Sequence, residues 1–227
     1  MRMNAVSNEI FVMTFCEYFS LGMKSLFAEN NLNLKFIRTI SETLTRTDDT
    51  LTLLLILDMS SIHSLRNFKE SVDFLLQIKS RKKVGVLVSR YNEYLSYYIF
   101  RKLNGNVTFF NSHNLKSGLF QKNFITWLRG KTFRPMHVVS RYRDDRYGFS
   151  LKEWISLVIP LSGETVQEMS SCMRMTTSNI YQVRQVALAK IGVDSYRQFC
   201  ELFINGCIHI ENNQIVTKTQ QYLSPTQ

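Results

Sequence analysis

Apolar residues in this chain gather in short runs, separated by stretches in which they recur at three- and four-residue steps. The runs at 10–15, 51–57, 84–88 and 107–110 are aliphatic, aromatic or β-branched with few polar breaks, as parallel strands buried on both faces are. Between them the spacing predicts helices over 64–79 (Leu65, Phe68, Val72, Leu75, Leu76), 93–103 (Leu95, Tyr98, Ile99) and 116–128 (Leu119, Phe120, Phe124, Trp127, Leu128). After the first run, Tyr18, Leu21, Gly22, Ser25 and Leu26 share one face of a further helix. Alternation at these lengths predicts an α/β N-terminal domain over 1–130, with a doubly wound parallel sheet.

The rhythm changes at Gly130. Lys131, Arg134, Arg141, Arg143 and Arg146 stand against only Asp144 and Asp145, so 131–148 reads as a basic linker. Ser150 with Glu153 three residues later fits a capping box, Pro160 stops the helix it opens, and Gly163 turns the chain. Helices follow over 165–173, 176–191 and 195–204. These give an all-α, four-helix C-terminal domain over 149–210 and a polar tail over 211–227, with no strand signal before His209.

Composition narrows the function. With 227 residues, 44% hydrophobic, 9 Gly and 3 Pro, the chain is expected to fold around one or two cores. No apolar run approaches the roughly 20 residues of a bilayer-spanning helix, and residues 1–15 offer no small-residue cleavage site. A cytoplasmic location without a membrane partner is expected. The four cysteines lack paired spacing and read as reduced thiols. Cys200, Cys207 and His209 do not form the two spaced pairs of a zinc site, and Cys16 has no evident catalytic partner, so no cofactor, metal or enzymatic activity is expected. The net charge is +10, and its excess lies ahead of residue 148: 22 basic and 12 acidic residues there, 6 of each afterwards. That sign suits a polyanionic partner.

Helices over 165–173 and 176–191, joined by a tight turn, have the layout of a helix-turn-helix, whose second helix enters the major groove. In that helix Ile180, Val183, Ala187 and Ile191 form an inward stripe, while Ser178, Asn179, Tyr181, Gln182, Arg184 and Gln185 are expected to point outward. No Asp or Glu occurs over 169–193, although Arg174, Arg184 and Lys190 do, as a phosphate-facing surface requires. The residues at 149–153, 163–170 and 173–180, with Lys190, Ile191, Gly192 and Val193, resemble without a gap the DNA-binding domain of LuxR-type regulators. Asn179 replaces a usual Thr, Val183 a common His and Val186 a frequent Asn. The resemblance implies double-stranded DNA as partner. It places Tyr181, Gln182 and Gln185 toward the bases, and Ser178, Asn179, Arg184 and Lys190 nearer the phosphates.

Many LuxR-type regulators carry an N-terminal receiver, phosphorylated on an Asp beside a Mg²⁺ held by two acidic residues. By this resemblance the acidic pair is replaced by Thr14 and Phe15, the acceptor corresponds to Asp58, the phosphoryl-contacting Lys is replaced by Asn111, and Ser89 matches the switch position. A hydroxyl and a phenyl ring do not make a Mg²⁺ site, so a degenerate, phosphorylation-independent receiver is implied. Residues 13–22, with Ile62 and His63, are further similar to auxiliary activators of capsule synthesis within the family. Those activators pair with a full response regulator, so a homodimer or such a heterodimer is implied. The alternative is an adaptor that modulates a response regulator without base-specific DNA binding of its own.

Overall fold

The computed structural model describes residues 9–43, 50–57, 62–77, 81–88, 93–133, 148–211 and 214–217. The chain divides into two compact units. One holds residues 1–57, 73–89 and 106–138, the other 58–72, 90–105 and 139–227.

In the first unit β1 (Ile10–Met13), β2 (Leu34–Ile37), β3 (Thr50–Leu57), β4 (Arg81–Val88) and β5 (Thr108–Asn111) form one parallel sheet in the order β2-β1-β3-β4-β5. The α/β expectation holds, including the interior position of the most apolar strands: Phe11, Val12, Leu53, Leu54, Val86 and Leu87 are buried. The strand β2 has no counterpart in the sequence reading. It is an edge strand with exposed Lys35 and half-buried Leu34 and Phe36, too short and too polar to stand out as an apolar run.

Two helices, α1 (Glu17–Leu26) and α4 (Leu119–Leu128), cover one face of the sheet through Met23, Phe120, Phe124 and Trp127, packed with Val12, Leu54 and Phe110. The ring of Phe110 lies 5.5 Å from those of both Phe120 and Trp127. This approach needs Gly85 in β4, because a β-carbon there would sit 2.9 Å from Phe110 and 3.2 Å from Trp127. The face of α1 defined by Tyr18, Leu21, Gly22 and Ser25 lies outward, with Tyr18 and Leu21 exposed; Met23, together with the half-buried Phe19 and Leu26, makes the core contact instead. Both sides of this helix are apolar, and the sheet decides which is covered.

The second unit contains the first part of α2 (Ile62–Gln77), α3 (Glu93–Lys102), α5 (Leu151–Val158), α6 (Val166–Met173), α7 (Thr177–Lys190) and α8 (Tyr196–Ile204). The four C-terminal helices fall where the sequence places them. They are followed by an antiparallel pair, β6 (Ile208–Glu211) and β7 (Gln214–Thr217), so the segment is not purely helical and part of the polar tail is a strand. Their alternation places Ile208, Ile210 and Ile215 inward.

Within this unit α3 packs on α5 and α6 through polar groups that are well shielded from water. The Tyr94 hydroxyl donates to the Phe149 carbonyl at 2.8 Å, and its ring meets Trp154 edge-on at 5.9 Å. Glu164 is 5% exposed. It accepts from Tyr98 Oη at 2.5 Å and from Lys102 Nζ at 2.5 and 2.7 Å, and Lys69 Nζ lies 3.3 Å away. Burial, followed by the Glu164 charge, pushes the Tyr98 hydroxyl far above its ordinary range, so it stays a donor.

Candidate nucleic-acid interface

The helix-turn-helix is built from local hydrogen bonds that satisfy the helix starts. Both α5 and α6 open on reciprocal capping boxes, Ser150 with Glu153 and Thr165 with Glu168, while the Thr176 side chain caps α7 by accepting from the Asn179 N–H. The turn passes through Arg174 at φ 53°, and Ser170 Oγ donates to the Met175 carbonyl at 2.6 Å. These bonds fix where α7 begins.

Burial along α7 falls on Ile180, Arg184, Ala187 and Leu188, at four-, three- and one-residue steps, with Val183 and Ile191 half-buried beside them. Ser178, Asn179, Gln182 and Gln185 are exposed on the other side, where the sequence reading places them, and Tyr181 is exposed at its margin, with the Arg184 guanidinium 5.5 Å from its ring. Arg184 corrects that reading: it is 6% exposed and turned inward. Its Nε donates to the Ser156 carbonyl at 2.9 Å, and its guanidinium lies over the Tyr196 ring at 4.3 Å. A group held this way does not face a phosphate. Lys190 is partly exposed, and its ammonium is engaged with Glu153 Oε2 at 2.8 Å and the Gly148 carbonyl at 3.1 Å, tying the end of α7 to the start of α5. Val186, absent from the candidate set, is 52% exposed on the same side as Gln182. The four-residue spacing between the two was the signal that could have found it.

The capping carboxylates carry a pH dependence. Burial works to raise Glu153, but the Lys190 ammonium and the Ser150 N–H outweigh it and hold the carboxyl below its usual range. Glu168 shows the same balance, with the Thr165 N–H and Lys69 bringing it to about 2. A lowered folded-state pKa gives stability that is full above the unfolded value near 4.5 and is lost as pH falls through the folded value. Urea unfolding followed by far-UV circular dichroism is therefore expected to show stability declining from pH 4.5 toward pH 2. A flat profile across that interval would rule out a contribution from these caps.

At the first unit's strand ends, Thr14 is 7% exposed and its Oγ1 accepts the Cys16 N–H at 3.2 Å, whereas Phe15 is 46% exposed. Asn111 ends β5 in register with Val88. Asp58 and Ser89, and most of the basic linker, lie outside the described residues. No helix among the described residues is long and apolar enough to cross a membrane.

No protein-family model matches the chain, and no curated protein does. Among solved structures it is similar to the RcsB response regulator of Salmonella typhimurium, at 13% identity over 87% of this chain and 96% of that one, with a TM-score of 0.45. It is similar to the two-component response regulator RcsB in a DNA complex, at 15% identity over 87% and 97%, TM-score 0.44. It is also similar to the response regulator StyR, at 13% identity over 86% and 96%, TM-score 0.35.

Proposed function

We propose that this chain is a DNA-binding transcription regulator in which α7 enters the major groove of double-stranded DNA, with residues 149–210 as the reading domain and 1–130 as a receiver-like domain. The observation that carries it is the outward side of α7. Ser178, Asn179, Tyr181, Gln182 and Gln185 stand in solvent with no carboxylate among them, on a helix anchored behind by Ile180, Arg184, Ala187 and Leu188. Gln182 and Gln185 are suited to the paired donor and acceptor of adenine, while Ser178 and Asn179, near the start of the helix, suit the phosphates.

Regulation is proposed to be independent of phosphorylation, since a buried, hydrogen-bonded Thr14 and an outward Phe15 stand where a Mg²⁺ site needs two carboxylates. The chain is proposed to act as a homodimer, or as a heterodimer with a full response regulator.

Gel shifts on genomic fragments, with the chain alone and with response regulators recovered by pull-down, test this reading. Gln182→Ala and Gln185→Ala are each expected to reduce discrimination between sites by about 1–3 kcal/mol. Acetyl phosphate with Mg²⁺ is expected to leave the shift unchanged. Absence of a shift under every condition would leave the adaptor reading in its place.

A further inference from the structure

The outward side of α7 lacks the side chains that most often read guanine. Between Thr177 and Ala189 the one cation is Arg184, and it is held inside by the Ser156 carbonyl and the Tyr196 ring. Lys190, at the last position, is bound to Glu153. In place of outward cations the helix carries two exposed apolar groups, Tyr181 at 53% and Val186 at 52%. On a helix of 3.6 residues per turn, Val186 lies about 40° from Gln182 and Tyr181 about 40° from Gln185, so each amide has an apolar neighbour one turn away.

We infer that this face reads A·T base pairs, with Gln182 and Gln185 on adenine and Val186 and Tyr181 against thymine methyl groups. The inference rests on α7 entering the major groove and adds what it recognises there. In that groove only thymine presents a methyl group, and the N7 and N6 edge of adenine matches an amide. A G·C pair offers nothing to a valine, and its O6 and N7 acceptors call for an Arg or Lys that this face does not present. A face so composed turns its exposed apolar area into sequence preference.

The test is selection of randomised duplexes by the full-length protein, followed by sequencing and by replacement of each thymine in the enriched site with uracil. Enrichment of A·T pairs is expected, with at least one thymine whose replacement weakens binding about 4-fold, the effect of one lost methyl contact. That loss is expected to vanish in Val186→Ala or Tyr181→Ala. A G·C core, or uracil tolerated at every thymine, would overturn this inference while leaving DNA binding intact. Failure to enrich any duplex would overturn DNA binding by α7 as well.

Discussion

Replacing Glu164 by Gln is expected to destabilise the protein by about 3–5 kcal/mol, the cost of removing one partner from a buried ionic cluster. The amide keeps the shape of the carboxylate but removes the charge that Lys102 Nζ meets at 2.5 and 2.7 Å, at a position where the lysine and glutamate side chains are 10% and 2% exposed. The Tyr98 hydroxyl also loses a charge-assisted acceptor. Lys69 is less affected because Glu168 lies 2.9 Å from it. Urea unfolding of Glu164→Gln, Lys102→Met and the double variant measures this directly. The double variant should be more stable than the sum of the two single losses implies, since both single changes break the same contact between Lys102 and Glu164. Strict additivity would mean that Glu164 and Lys102 are not coupled.

Arg184→Ala is expected to cost about 2–4 kcal/mol of stability through the lost bond to a buried carbonyl, the lost contact with an aromatic face and the lost packing of the stem. It should recover in part in Arg184→Met, which restores the stem without the charge. The salt dependence of DNA binding separates this role from a phosphate contact. A phosphate contact would lower the slope of affinity against salt by about 1, whereas an internal strut leaves the slope unchanged in the folded fraction. A stable Arg184→Ala protein with a shallower slope would return the residue to the surface.

Arg184 also marks where sequence reading reaches its limit. Residue type suggests an outward cation, yet its place four residues after Ile180 and three before Ala187 puts it inside the stripe. The spacing held the answer; what it lacked was a reason to bury a charge, which the Ser156 carbonyl and the Tyr196 ring supply from elsewhere in the chain. The interior strands β1, β3 and β4 were legible because a sheet buried on both faces demands unbroken apolar runs, and β5, at one edge, because Phe110 and its neighbours pack into the core. The strand β2, at the other edge, buries only Ile37 and carries no such demand. In α1 the periodicity was present on both sides, so Tyr18 and Leu21 could not be told from Phe19 and Met23 until the sheet took one side. Exposed Ser178, Asn179, Tyr181, Gln182 and Gln185 were legible from polarity, whereas Val186 was passed over because an apolar residue reads as core.

The attachment of α3 to α5 and α6 constrains the order in which the protein can mature during its synthesis. Tyr94, Tyr98, Arg101 and Lys102 find their acceptors 55 to 71 residues later in the chain, at Phe149, Glu164 and Cys172. When α3 leaves the ribosome, none of these acceptors has yet been made. Closing contacts across such separations costs chain entropy before any contact repays it. The contacts of α3 with α5 and α6 are therefore completed only after Cys172 has emerged, and a nascent chain stalled before Phe149 lacks the acceptors at Phe149, Glu164 and Cys172 altogether.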